Sequence, residues 1–191
     1  MKFSIIIPAH NSELFIRKAL ESVRIQTFKD YELIVICDSC TDNTEAVARE
    51  YGATTYTANF HRDGLARNAG IDHASGDWLL FMDDDDWWIH ECVLELLVGK
   101  VGKQNEDILR FSFIWKGRGY AGCGDYYAVW NKCWRRSFVG KTRFSDVENW
   151  SDVDFHRAMM AKQPKIIDWD MPLYYYNFMR EGSISWRNVN S

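Results

Sequence analysis

The sequence predicts an α/β fold: a doubly wound, mostly parallel, Rossmann-like sheet in a single compact domain. Three observations predict it. Continuous apolar runs recur at residues 3–7 (FSIII), 33–37 (LIVIC) and 78–82 (WLLFM), as expected of strands buried on both faces. Segments with helical spacing separate them. The unusual polar clusters follow the carboxyl ends of the runs, where ligands bind in open sheets of this kind.

The elements follow in order. Pro8 ends the first run, and Asn11 or Ser12 can cap a helix in which Phe15, Ile16, Ala19, Leu20 and Val23 recur at helical spacing. After the second run a helix covers about 44–51, closed by Gly52. Residues 54–57 (TTYT) read as a third strand and 64–74 as a third helix, and the fourth strand stops at four aspartates. A helix from 89 to about 103 completes the first half. Residues 107–115 then read as a strand, Gly117, Gly119, Gly122 and Gly124 as a flexible loop, and 126–138 as an aromatic-rich segment. A helix starts near Ser151, and 172–178 reads as the last strand. No repeat, low-complexity linker or second core is visible.

Composition narrows the function classes. The chain has 191 residues, 47% hydrophobic and 26% charged, which is ordinary for one folded domain. A net charge of −4 and the lack of any Lys/Arg block exclude an electrostatic footprint for nucleic acid. The five apolar residues before Pro8 are too few for a signal-peptide core, and no run approaches the roughly 20 residues of a membrane span. Five scattered cysteines do not form a disulfide framework. The expectation is a cytoplasmic chain with reduced thiols.

Four clusters carry chemistry. In FMDDDDWW, four adjacent carboxylates repel one another at the end of a buried strand. Hard cations such as Mg²⁺ take one or two carboxylates plus substrate phosphates, so an Asp-x-Asp here suits a metal and a ribose; a solvated acidic turn is the structural alternative. In CDSCTDNT, Asp38 can accept hydrogen bonds from a base or ribose, whereas Thr41 and Asp42 read as turn and cap residues. Cys37 and Cys40 form a C-x-x-C between strand and helix, the place of a thioredoxin-like redox pair. In HRDGLARNAG, Arg67 can face phosphate or simply solvent. In ENWSDVDF, Asp152 is either a helix-start charge or a general base, with Glu148 and Asp154 nearby, and Ser151 with Asp154 fits a capping-box variant. Trp115, Trp130 and Trp134 are sugar-stacking candidates or core.

In this order the clusters resemble the inverting family 2 glycosyltransferases of the GT-A fold, from residue 3 to about 186. IIIPAHN, ELIVICDSCTDNT, GLARNAGIDHASGDWLLFMDDDD, VWNKCWRRSF, SDVDF and REGSIS carry the resemblance. It implies a nucleotide-sugar donor, in the UDP form, bound through Pro8, Asn11, Asp38, Arg67, Asp83, Asp84 and Arg180. Asp38 would meet the base, Asp83 the ribose, and Asp85 would hold Mn²⁺ or Mg²⁺. Asp152 would deprotonate the hydroxyl of a glycan or glycolipid acceptor in polysaccharide or glycoconjugate biosynthesis, with peripheral membrane contact open. Residues 1–103 would form the donor and metal half, and 104–191 the acceptor half. The sequence departs from the family pattern at Cys37, Ser39, Ser151 and Arg180. The rivals are a nucleotidyltransferase, for which PAHNSELF lacks the Gly-rich basic loop, a non-catalytic nucleotide-sugar-binding homologue, and a thiol-redox protein.

Overall fold

The first apolar run forms β1 (Phe3–Ala9), the central rail of the sheet in the computed structural model, which describes residues 2–124 and 126–178. β2 (Tyr31–Asp38) lies parallel on one flank and β4 (Trp78–Phe81) parallel on the other, with β3 (Thr54–Ala58) parallel beyond β2. Pro8 does not end β1. It pairs with Ile36, and the β4 ladder on the other flank stops at Ile6 and Phe81, so the missing N–H falls beyond that ladder.

Side-chain alternation sorts the core into two layers. Ile5 and Ile7 face α1 (Ile16–Arg24), α2 (Thr44–Glu50) and α4 (Val93–Val98), whereas Ile6 faces α3 (Asp63–His73), α5 (Arg136–Val139) and α6 (Ser151–Met160). All three isoleucines are fully buried. Each such side chain contributes about 1.5–3 kcal/mol, so a one-residue register slip of β1 would turn both layers inside out. Gly70 permits the close approach of α3: a Cβ there would sit 2.3 Å from Ile6 Cγ2. The doubly wound expectation for the first half holds.

The second half departs from the expected element boundaries. The strand order is β3-β2-β1-β4-β8-β6-β9-β5, with β7 beside β6. The aromatic segment contains β8 (Lys132–Arg135), antiparallel to both β4 and β6 (Ile108–Trp115). Gly117 and Gly119, at positive φ, turn β6 into a hairpin with β7 (Gly119–Ala121) instead of opening one long loop. The helix expected from 89 is shortened to α4, because Trp87–Trp88 form β5 against β9 (Ile166–Tyr176) and the Ile89 N–H donates to the Leu173 carbonyl. β9 starts earlier than expected and runs parallel to β6 through a bulge beside Ser112. Trp130 and Trp134 are buried core residues, and Trp115 is half-buried against Phe113, Tyr176 and Phe178. No helix among the described residues is long and apolar enough to cross a membrane.

Candidate active site

The carboxyl ends of β1, β2 and β4 converge, and the loops that leave them are tied to one another. After β1, Asn11 accepts from the Thr41 N–H (2.7 Å) and hydroxyl (3.2 Å), so it clamps the loop after β2 and does not cap α1. Ser12 does not cap it by side chain either: its backbone carbonyl accepts from Phe15 and Ile16, and α1 has no side-chain cap. Pro8 lies within β1, opposite Ile36. Asp42 accepts from the Thr44 N–H at 3.0 Å and the Glu13 N–H at 3.1 Å, the turn-and-cap role its position suggests.

Asp38 is only 4% exposed. Its carboxylate receives the backbone N–H groups of Phe60 (2.6 Å), His61 (3.1 Å) and Arg62 (2.9 Å), and the Ser39 hydroxyl (3.1 Å). It therefore moulds residues 59–62 into the wall of the cleft. Ser39 also reaches Asn59 and His61, and His10 Nδ1 lies 2.7 Å from the Asp38 carbonyl oxygen. This rim of polar groups was not foreseen beyond Asp38 itself.

Arg67 is the centre of the site. It is 4% exposed, and its guanidinium binds Asp63 (2.5 Å), Asp83 (2.8 Å) and Asp152 (3.1 Å). The guanidinium thus joins the aspartate turn to α6 and is neither a surface cation nor aimed outward at phosphate. Gly64 allows the junction: a Cβ there would lie 2.8 Å from Ser151 Cβ, so α3 and α6 start in contact. Three carboxylates share one cation, and their proton affinities split: for Asp63 burial is outweighed by Arg67 and the Gly64 N–H and the carboxyl is lowered, whereas burial wins for the other two. Burial pushes the Asp83 carboxyl up to about 6; Arg67 opposes the rise, and the charges of Asp152 and Asp85 add to it. Burial likewise raises Asp152, opposed by Arg67 and Lys132 and by the Val129 N–H that donates to its carboxylate. Asp152 keeps 25% of its side-chain surface accessible, so a ligand can reach it.

The four aspartates divide their labour. Asp86 is fully buried and accepts from the Tyr174 hydroxyl and the Asn177 N–H, both at 2.7 Å. Tyr174 in turn accepts from the Asp83 N–H at 3.1 Å, and Asn177 Nδ2 donates to the Asp85 carbonyl at 3.2 Å. Asp86 is thus a structural requirement of the turn, buried where a solvated acidic turn was the structural alternative. Asp83 faces Arg67, Asp84 lies 3.5 Å from the His10 N–H, and Asp85 is half-buried.

α6 begins at Ser151, with Trp150 at its N-cap in a left-handed conformation (φ 70°). Ser151 does not cap it: its hydroxyl points to Asp63 (3.4 Å), and Asp154 accepts from Ser145 at 2.8 Å. The Trp150 indole is 73% exposed, two residues before Asp152. Arg180 lies outside the described residues.

The sequence pattern described as glycosyl transferase family 2 matches residues 4–165. This chain belongs to that family. Among its relatives, glycosyltransferase GlyA of Streptococcus pneumoniae is 33% identical over 112 residues, covering 56% of this chain and 16% of that protein. The putative glycosyltransferase EpsH of Bacillus subtilis is 26% identical across 91% of this chain and 60% of its own length. The structure of Staphylococcus aureus TarS 1–349 in complex with UDP-GlcNAc superposes with a TM-score of 0.85 at 23% identity, covering 97% of this chain and 61% of that one. The mannosyltransferase PcManGT of Pyrobaculum calidifontis, in complex with GDP-Man and Mn²⁺, gives 0.78 at 16% identity, covering 97% and 59%. The fold of this family 2 chain is therefore GT-A, and the chain spans under two thirds of each of these proteins.

The donor set can be tested against the divalent cation that the family implies. Among the described residues no group of three or more His, Cys, Asp or Glu side chains is gathered to hold a metal by itself. Asp83 and Asp86 are engaged by Arg67 and Tyr174, and Asp84 and Asp85 are the remaining carboxylates of the turn. One or two carboxylates fit Mg²⁺ or Mn²⁺ whose remaining positions are filled by substrate phosphates and water.

Sequence reasoning missed Asp63, Lys132, Tyr174 and Trp150. Asp63 was detectable, because it stands four residues before Arg67 on one helix. Lys132 is fully buried and donates to the Tyr126 and Ala128 carbonyls, both at 2.6 Å, which fixes the loop whose Val129 N–H faces Asp152. No local signal announces it.

Proposed function

We propose that this chain is the donor-binding and base-bearing domain of an inverting glycosyltransferase. It moves a sugar from a nucleotide-sugar, in the UDP form, to the hydroxyl of a glycan or glycolipid acceptor. The observation that carries the reading is the buried Arg67, which holds Asp83 and Asp152 on one guanidinium and so sets the aspartate turn against a reachable carboxylate.

In this reading Asn11 and the 59–62 wall that Asp38 holds in place receive the base, Asp83 and Asp84 flank the ribose and diphosphate, and Asp85 would hold Mn²⁺ or Mg²⁺. When bound, the cation supplies Lewis acidity to the departing diphosphate. Asp152 takes the proton of the acceptor hydroxyl as its oxygen attacks the anomeric carbon, and the nucleoside diphosphate leaves from the opposite side. One displacement inverts the configuration. Burial suits Asp152 to this task, since a base with a raised pKa holds the transferred proton better. Arg67 keeps its carboxylate aimed, and the Val129 N–H limits its rotation. The exposed Trp150 indole offers a flat apolar face for an acceptor sugar. Polysaccharide or glycoconjugate assembly on the cytoplasmic side, with peripheral membrane contact, is the setting this chemistry fits.

Calorimetric titration of UDP tests the reading. Binding is expected with Mn²⁺, to be lost with chelator, and to weaken at least about tenfold in Asp85→Asn. Metal-independent binding unaffected by Asp85→Asn would sink the metal assignment. If UDP does not bind and GDP does, the donor is a different nucleotide-sugar.

A further inference from the structure

The segment that enters α6 is laced along α3, and the ties are unequal. Arg143 binds Asp72, near the carboxyl end of α3, through Nε (3.1 Å) and Nη2 (2.5 Å). Phe144 meets Asn68 one turn earlier. Asp146 lies 3.8 Å from Arg62 at the N-cap of α3, and the Ser151 hydroxyl reaches Asp63 at 3.4 Å. The chain thus follows α3 from its carboxyl end to its amino end before α6 begins, and that course brings Asp152 to Arg67. The two ion pairs along it have exposed partners, with 60% of the Asp72 and 71% of the Asp146 side-chain surface accessible. Such pairs hold a geometry weakly.

The tie at Asn68 is of another kind. Its Oδ1 accepts the Phe144 N–H at 2.8 Å, and its Nδ2 donates to the Phe144 carbonyl at 2.9 Å. One carboxamide therefore satisfies both backbone groups of a buried residue, as a ladder partner does in an antiparallel sheet. Two bonds in parallel fix direction as well as distance. Phe144 is 3% exposed, and its ring joins the two halves of the site. It stacks on Phe155 of α6 with centroids 4.1 Å apart, and stands edge-on to Phe81 at the end of β4 at 5.5 Å. Phe155 lies three residues beyond Asp152, and Phe81 two residues before Asp83. The Arg67 guanidinium carbon lies 5.6 Å from the same ring. Gly64, one turn before Asn68, completes the seat, because a Cβ there would lie 3.1 Å from Phe144 Cβ.

We propose that Asn68 is a positioning residue for the transfer: by clasping the Phe144 backbone it sets where α6 starts, and so keeps the Asp152 carboxylate in register with the aspartate turn. The inference rests on the reading of Asp152 as the base. Arg67 meets Asp152 through a single nitrogen and a single oxygen, a contact about which a carboxylate can swing. The clasp removes that freedom at its source, by fixing the helix that carries the carboxylate. A shift of α6 by about 1 Å leaves the donor groups on the loops after β1 and β2 in place, yet costs on the order of 10²-fold in rate, because the base must meet the acceptor hydroxyl at hydrogen-bond distance. Asn68 touches no reacting atom; its effect passes through Phe144 and α6.

The test uses the full chain with Mn²⁺ and either UDP-GlcNAc or UDP-glucose, and follows UDP release to water or to added methyl glycosides. Asn68→Ala removes both bonds, and the isosteric Asn68→Asp removes the donor and sets a carboxylate against the Phe144 carbonyl. In both variants UDP release at saturating donor should fall about 10- to 10²-fold. The half-saturating donor concentration and the Mn²⁺-supported UDP affinity should stay within about twofold, since no donor contact is lost. Hydrogen exchange in the first turn of α6, where the Val153 N–H binds the Trp150 carbonyl at 3.0 Å, should quicken in the same variants. Arg143→Gln cuts the exposed pair with Asp72 and should change neither reading. If Asn68→Ala does not fold, Asn68→Asp decides. Turnover kept without the clasp, a loss shared equally by turnover and donor affinity, or an equal loss in Arg143→Gln would each overturn the proposal. Should the unsubstituted chain release no UDP from either donor, the transfer reading fails, and unchanged exchange at the start of α6 would separately overturn the clasp.

Discussion

Two carboxylate clusters occupy opposite ends of the parallel strands, and they are built with opposite balances of charge. At the amino ends, Glu32 on β2 receives the hydroxyl of Ser4 (2.5 Å), the N–H groups of Ser75 (2.7 Å) and Gly76 (3.0 Å), and the Lys2 ammonium (3.1 Å). Partial burial alone would raise it, but these donors outweigh burial and hold its carboxyl at about 2. At the carboxyl ends Asp63, Asp83 and Asp152 divide one guanidinium, and burial wins for Asp83 and Asp152. The donor-rich end pins β1, β2 and β4 together. The donor-poor end keeps charge unsatisfied, as the proposed receipt of a cation and a proton requires.

The comparison can be broken most severely at Arg67. Arg67→Met leaves three carboxylates around a buried apolar chain, and unfolding measurements at neutral pH are expected to show a loss of about 3–5 kcal/mol. A loss under about 1 kcal/mol would mean the carboxylates are far better solvated than their burial indicates. Asp152→Asn acts on the same cluster without emptying it. Transfer should fall about 10²–10⁴-fold with nucleotide affinity retained. In the unsubstituted protein the acid limb of the rate profile should lie above the ordinary carboxylate range, since Asp152 must lose its proton to act and burial makes that harder. An acid limb at or below about 4, the unperturbed Asp value, would remove Asp152 from the role.

Two smaller effects sharpen the contrast, and they carry opposite signs. Glu32 is depressed, so its contribution is present above its unfolded value of about 4.3 and is lost as pH falls through about 2. After allowance for its partial exposure, Glu32→Gln should cost about 1–2 kcal/mol at pH 7, flatten the acid limb of stability and leave transfer intact. Asp83 is raised, so its contribution is full below about 4 and lost as pH rises through about 6. Asp83→Asn should therefore raise stability by about 1 kcal/mol in chelator at pH 7.5 while lowering nucleotide affinity. Destabilisation there would show that Arg67 needs all three charges.

The first half of the fold was legible because its strands are buried on both faces and write continuous apolar runs, with Gly52 in the left-handed position at the end of α2. β8 was not, because WNKCWRR hides a strand behind a buried lysine and two arginines whose polar ends find carbonyls far along the chain. Type and order singled out Asp83, Asp85 and Asp152 as candidates, and the resemblance assigned their roles. That Arg67 also reaches Asp152, and that Asp86 is a structural anchor, depend on partners 85 and 88 residues away, and no local spacing reveals those.

Tyr174 has a bearing on how the protein comes into being. Its hydroxyl bridges the Asp83 N–H and the Asp86 carboxylate across 91 and 88 residues of sequence. The aspartate turn therefore remains unbraced until β9 has been synthesised and has slid in beside β6. Contacts of such long separation form late and slowly. A nascent chain ending near residue 103 would carry every aspartate of the turn and still lack the tyrosine that gives the turn its shape, so the turn proposed to grip a nucleotide is completed only with β9.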